Sequence, residues 1–267
     1  MKVKTLLSWI GFVGISIFVL FPFYWGIRTS LAPRFDSNWI PQKIVLTHYI
    51  SILSQSQFFL YFKNSLTVTL GTIVIVLPIS LLGGYALARF RFPGAKKLGS
   101  ALLVFPMLPI IAILVPLMWY MNKLGLYNTL FSLIIVNSVV NMPFTVWMLR
   151  NFILGCPVEI EESALIDGCS RIGALLRVTL PMMPPGLVAA IVFTFITTWN
   201  NYLYAAALTA SPSLKVLPMA ILSFIGTWGT YWGGLTAIGI LVLIPPLILF
   251  LFFQKWFIAG LFGQWLK

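Results

Sequence analysis

Acidic residues are almost missing from this chain. Only five of its 267 residues are Asp or Glu, and charged residues of both signs make up 8%. Soluble domains carry about 25% charged residues to keep their surfaces wet, so an ordinary soluble fold is excluded. Histidine occurs once and cysteine twice, which leaves no ligand set for Cys/His zinc chemistry and implies no metal. Cys156 and Cys169 read as reduced cytosolic thiols. There is no G-x-x-x-x-G-K-[ST] phosphate loop, so ATP hydrolysis by that route is not expected of this chain. Paired carboxylates and a nucleophile–base pair are missing too, which argues against an intramembrane enzyme.

What is present is apolar. Hydrophobic residues make up 60% of the chain, and most of the exterior is expected to face lipid. A bilayer core of about 30 Å needs roughly 20 apolar residues per helix. Six segments meet that length: Leu6 to Ile27, Ser65 to Ala88, Leu98 to Met121, Thr129 to Phe152, Pro185 to Leu208 and Gly234 to Phe257. The first follows Lys2 and Lys4, but it is too long for a signal peptide and holds no small-residue cleavage site, so a retained helix is expected. The expected fold is therefore an all-α integral membrane protein with six transmembrane helices, forming one transmembrane domain over residues 1–267.

The net charge of +12 does not indicate nucleic acid. The cations sit at the ends of apolar runs rather than in one stripe, and attraction to anionic headgroups explains that distribution. With the N-terminus inside, eleven Lys and Arg fall on the cytoplasmic side and six outside, among them Arg28, Arg34, Lys63 and Lys123. This bias predicts cytoplasmic N- and C-termini. The turn RFRFPGAKK at 89–97, with four cations, is the strongest local contribution, and Lys267 ends the chain on the same side.

Four of the five acids, Glu159, Glu161, Glu162 and Asp167, gather between the fourth and fifth spans, in a cytoplasmic loop of about residues 155–184. Pro157 suits a helix start, and the acids complement the positive dipole end. Gly168 can end that helix in the left-handed conformation. Ser170 can cap a second helix running to Thr179, with Pro181, Pro184 and Pro185 separating the pair from the fifth span. Ile160, Ala164 and Leu165 offer a small apolar face. Such a helix pair suits insertion into a partner's cleft; the plain alternative is a solvated loop.

Glu162-Ser163-Ala164, three residues, Gly168, nine residues, Val178-Thr179-Leu180-Pro181 resembles the EAA loop of ABC importer permeases. Ser163 and Val178 depart conservatively from the family's alanine and isoleucine. NSLTVTLGTIVIVLPISLLGGYALARFRFPG at 64–94, PFTVWMLRNFI at 143–153 and FTFITTWNNYLYAAAL at 193–208 are similar to the carbohydrate-importer branch, of the maltose-permease second-subunit type. That resemblance implies a second permease subunit, two cytoplasmic ATP-binding subunits and an external solute-binding protein. The importer would sit in a bacterial or archaeal plasma membrane, with a sugar or oligosaccharide as substrate. The chain would bind no cofactor itself, and ATP and Mg would serve the partner ATPase. It further implies that Glu161, Glu162, Ser163, Ala164, Asp167, Gly168, Leu180 and Pro181 couple to that ATPase.

Polar residues inside the spans are candidates for a pathway. Asn137 and Asn141, four apart, share a helix face; Trp199, Asn200 and Asn201 stand in the fifth span beside Tyr202 and Tyr204. Amides and aromatic rings suit a polyhydroxyl solute, while bonding between helices is the plain alternative, favoured for Asn137 and Asn141. Tyr24, Trp25, Trp119, Tyr120, Trp228 and Trp232 read as interfacial belts. Pro78, Pro106, Pro109, Pro116, Pro245 and Pro246 should kink their spans. His48 is placed on a short surface helix with no role. An importer of a polyol or a glycerol phosphodiester, or an ATPase-independent channel or carrier, remains an alternative.

Overall fold

The computed structural model describes residues 2–33, 36, 38–226 and 229–262. Arg34, Trp228 and Lys267 lie outside the described residues. The chain is mostly helical and forms two compact units, one of Met1–Tyr61 with Met219–Pro245, the other of Phe62–Pro218 with Pro246–Lys267.

The first unit opens with α1 (Lys2–Leu31), apolar on every side. Its large side chains lie open, with Phe18 81% exposed, as a lipid-facing helix requires. A buried ion pair closes its end: Arg28 Nη2 lies 2.8 Å from Asp36 Oδ1. The backbone N–H groups of Asn38 and Gln42 also donate to Asp36. The Asn38 amide, with Arg28, holds that carboxyl below its ordinary range. His48 does stand on a short helix, α2 (Thr47–Leu53), but it is buried rather than on the surface. Its ring bonds Ala32 O at 2.9 Å and Tyr231 Oη at 2.5 Å, because a ring with two polar nitrogens can be buried only where both find partners. A two-stranded hairpin, β1 (Ile225–Gly226) and β2 (Gly229–Thr230), pairs antiparallel, a small departure from an all-helical chain.

The second unit contains most of α3 (Ser56–Arg89), which runs through Pro78 unbroken. The third expected span does break. Helix α4 (Ala95–Val104) and a 3₁₀ turn over Phe105–Met107 meet α5 (Ile110–Lys123) across a bend of 96°. The cause is local: Pro109 forces Leu108 out of the helical region, to φ −67° and ψ 133°. The expected kink is therefore a corner. Helix α6 (Leu130–Leu154) starts on Thr129, whose hydroxyl accepts from Ser132 N at 3.1 Å.

Two short helices follow, α7 (Val158–Ile166) and α8 (Arg171–Ala174). A wide π-turn over Leu175–Thr179 then leads into α9 (Leu180–Met182). The second helix of the pair does not stop before Pro181 as expected. The wide turn leaves room for a ring that would otherwise collide with a carbonyl one turn back. The chain bends 87° before α10 (Pro184–Trp199). After a break at Asn200 and Asn201 it forms α11 (Tyr202–Leu208). The final helix is α12 (Trp232–Phe262). Among the described residues, four helices are long and apolar enough to cross a membrane, or up to six if each bent pair counts as one span.

Candidate functional site

The acidic loop folds as a helix pair whose corner is set by backbone chemistry. Pro157 stands at the N-cap of α7, and Glu159 and Glu161 occupy its first turn. Gly168 has φ +91°. The N–H of Cys169 donates to Ala164 O at 3.0 Å, and that of Gly168 to Leu165 O at 3.1 Å. These two bonds form a Schellman stop, which needs a left-handed residue where Gly168 stands. A Cβ there would meet open space, so the requirement is conformational rather than steric. Ser170 Oγ then accepts from Gly173 N at 3.1 Å and starts α8.

The acids divide by role. Glu162, Ser163, Asp167, Gly168 and Pro181 are exposed, while Ala164 and Leu180 are half-buried. Glu161 is buried, with 3% of its surface accessible. It accepts from Tyr85 Oη, from Arg89 Nε at 2.8 Å and from Thr179 Oγ1 at 3.2 Å. Arg89 Nη2 also donates to Cys156 O at 3.1 Å. Burial pushes the Glu161 carboxyl up, but the bonds from Tyr85 and Arg89 outweigh it and hold the group below its ordinary value. Around this knot Leu81 and Tyr85 of α3, Leu149 and Ile153 of α6, Leu175 and Ala190 form one core. Glu161 thus fastens the helix pair to α3, whereas a docking acid would be expected on the surface. Sequence offers a partial signal: Tyr85 and Arg89 are four apart on α3 and aligned on one face, but nothing in the spacing names their acceptor.

The outer surface of the pair is apolar as well as acidic. Ile166 is 86% exposed and Ile172 60%, with Ile160 and Leu176 also open. The expected face of Ile160, Ala164 and Leu165 is split, because Ala164 and Leu165 turn half inward. Both cysteines are free. Cys156 is buried, with its thiol pushed up by that burial, and Cys169 is half-buried at the corner.

The pathway candidates meet between α6, α10 and α11. Asn201 Nδ2 donates to Asn137 Oδ1 at 2.8 Å, and Thr197 Oγ1 donates to Asn141 Oδ1 at 2.5 Å. Asn141 Nδ2 donates to Asn137 O at 2.8 Å. Asn201 Oδ1 caps α11 by accepting from Tyr204 N at 3.3 Å. Trp199 is 1% exposed, stacked on Phe195 at 5.4 Å and edge-on to Phe62. Asn200 stands apart from the group and is exposed. The space beside Asn137, Thr198 and Asn201 is about 10 Å³, room for at most one water. In this conformation the amides bond helices to one another.

Sequence reasoning missed two clamps on the segment after α11. Asn64 Nδ2 donates to Ser213 O and Lys215 O at 2.8 and 2.9 Å. Asn128, at φ +59°, accepts from the N–H groups of Ala210 and Ser211, both at 2.9 Å. Asparagine before a helix start is the available signal at Asn128, since it tolerates the left-handed region.

Apolar helices of membrane-crossing length, with a folded polar helix pair between two of them, define a polytopic membrane protein. The chain belongs to the family described as binding-protein-dependent transport system inner membrane component, matched over residues 84–262. It is similar to the diacetylchitobiose uptake system permease protein DasC of Streptomyces coelicolor, 33% identical over 260 residues covering 95% of this chain and 94% of that one. It is likewise similar to the trehalose/maltose transport system permease protein MalG of Thermococcus litoralis, 32% identical over 99% of this chain and 97% of that one. Among solved structures, a bacterial ABC transporter involved in import of the acidic polysaccharide alginate shares the fold, with a TM-score of 0.81 at 21% identity over 96% of this chain and 97% of that one.

Proposed function

We propose that the chain is a six-span permease subunit of an ATP-driven importer for a neutral sugar or oligosaccharide, and that the α7–α8 pair seats on a cytoplasmic ATPase. One observation carries the reading. The signature residues Glu162, Ser163, Gly168 and Pro181 are exposed on a helix pair that turns at Gly168 and is tied at its base to α3 through Glu161. Closure of an ATPase gripping that surface would move α3 and α6 rather than flex a loop. The fifth span is α10 with α11, because α8 and the turn after it carry exposed Arg171 and Arg177, which belong outside the bilayer. The third span is α4 with α5, and both chain ends are cytoplasmic.

A second permease, two ATP-binding subunits using ATP and Mg, and an external binding protein complete the assembly. The named relatives transport diacetylchitobiose and trehalose or maltose, which supports a glycan substrate. Of the cations expected outside, Arg28 is neutralised by Asp36, which weakens the pull on an anionic solute. A glycerol phosphodiester is disfavoured on that ground.

The test is purification of the tagged chain in mild detergent. Co-purification of a second permease and an ATPase, with hydrolysis stimulated by sugar-loaded binding protein, is expected. Solute transport by the lone chain in liposomes would instead establish a channel or carrier.

A further inference from the structure

The turn joining α3 to α4 lines an open-sided cavity of about 620 Å³ that neither the coupling pair nor the polar pathway uses. Its wall includes Phe90, Arg91, Phe92, Lys96, Lys97 and Arg150, and none of its lining residues is acidic. The two ion pairs described, Arg28–Asp36 and Arg89–Glu161, leave all four of these cations out. Arg150 spends Nε on Leu87 O at 3.4 Å and Nη1 on Asn151 Oδ1 at 3.3 Å, both neutral acceptors.

Helix α4 sharpens the charge. It begins at Gly94, φ +89°, with no side-chain cap and no acid in its first turn. Lys96 and Lys97 occupy that turn, so two cations sit at the positive end of the helix dipole, an arrangement that costs free energy until an anion arrives. The rest of the wall is apolar, with Leu87, Pro93 and Leu154 beside the two phenylalanines. Free phosphate would gain nothing from such a wall, whereas an amphiphile would use both parts. The volume falls in the range of about 300–1,000 Å³ usual for small-molecule sites.

We propose that this cavity binds an anionic phospholipid, its phosphate held by Arg91, Lys96, Lys97 and Arg150 and its chains lying along Leu87 and Leu154. The inference rests on the proposed orientation, which puts this turn at the cytoplasmic membrane face.

The test uses the chain purified with its partner subunits in non-ionic detergent, titrated with phosphatidylglycerol or phosphatidylcholine and read by native mass spectrometry. Tight retention of phosphatidylglycerol over phosphatidylcholine is expected. Each cation removed should weaken it roughly fivefold, so Arg91→Gln, Lys96→Gln and Lys97→Gln together cost about a hundredfold. Ala95→Trp puts an indole into the cavity beside Lys96 while keeping every cation, and should sharply reduce the preference. That variant decides the matter even where the triple one fails to insert. Equal retention of the two lipids by the wild type, or an unchanged preference in Ala95→Trp, overturns the site. So does displacement by millimolar inorganic phosphate, which would assign the cavity to a soluble anion. Lipid binding only after the ATPase is stripped off would give the cavity to the partner instead. Presence of ATPase in the same spectra tests the importer reading separately.

Discussion

Replacing Glu161 by glutamine would leave Arg89 buried against a neutral group. Removing one partner of a buried ion pair costs about 3 kcal/mol, and a corresponding fall in the denaturation midpoint of the purified complex is expected. Glu162→Gln, on an exposed side chain, should change stability by less than about 0.5 kcal/mol while weakening ATPase retention. The two neighbours therefore separate support from contact. Acid titration gives an independent check. The folded Glu161 carboxyl lies below its ordinary 4.5, so its stabilisation is present above that value and lost as pH falls through the folded one. Denaturation midpoints followed from pH 7 to 3.5 should drop below about pH 4.5 in the wild type, and this component should be missing from Glu161→Gln. Composition reveals that the acids cluster; it does not reveal which one turns inward, because that depends on where α3 ends relative to α7.

Helix boundaries that rest on one residue's backbone preference were legible, and those that rest on a neighbour were not. Gly168 announces a stop by its type, and its φ of +91° makes a specific prediction. Gly168→Val, β-branched, should lose ATPase from the purified complex while still inserting. Gly168→Asn, which tolerates the left-handed region, should retain it. The corner at Leu108 was only half readable: proline marks disruption, but its depth depends on the residue before it being free to extend. The break at Asn200 falls in a polar stretch, TTWNN at 197–201, which marks disruption but not that the helix ends there. Close packing is also invisible in composition. A Cβ on Gly84 would come 2.9 Å from Arg150 N and 3.1 Å from Val146 O, and backbone atoms cannot swing aside. Gly84→Ala should therefore spread α3 from α6 and lower the thermal midpoint. At Gly186 the added Cβ would meet Phe152 Cγ and, at 2.8 Å, Phe152 Cβ, and no rotamer moves a Cβ, so Gly186→Ala should lower the midpoint as well.

For the whole molecule, the apolar runs were readable because hydrocarbon thickness sets a length that composition must meet. The proposed orientation rests on charge bias, and labelling checks it. A membrane-impermeant maleimide should reach Lys123→Cys in intact cells, and Lys97→Cys only after permeabilisation. The reverse pattern would invert the topology and with it the placement of α7 and α8. The two native thiols carry a practical consequence of their own. Cys156 is shielded by burial, while Cys169 stands partly open beside the Gly168 corner. A fluorophore added to the unmodified chain should settle on that one position, turning the natural protein into its own spectroscopic reporter of movement at this corner.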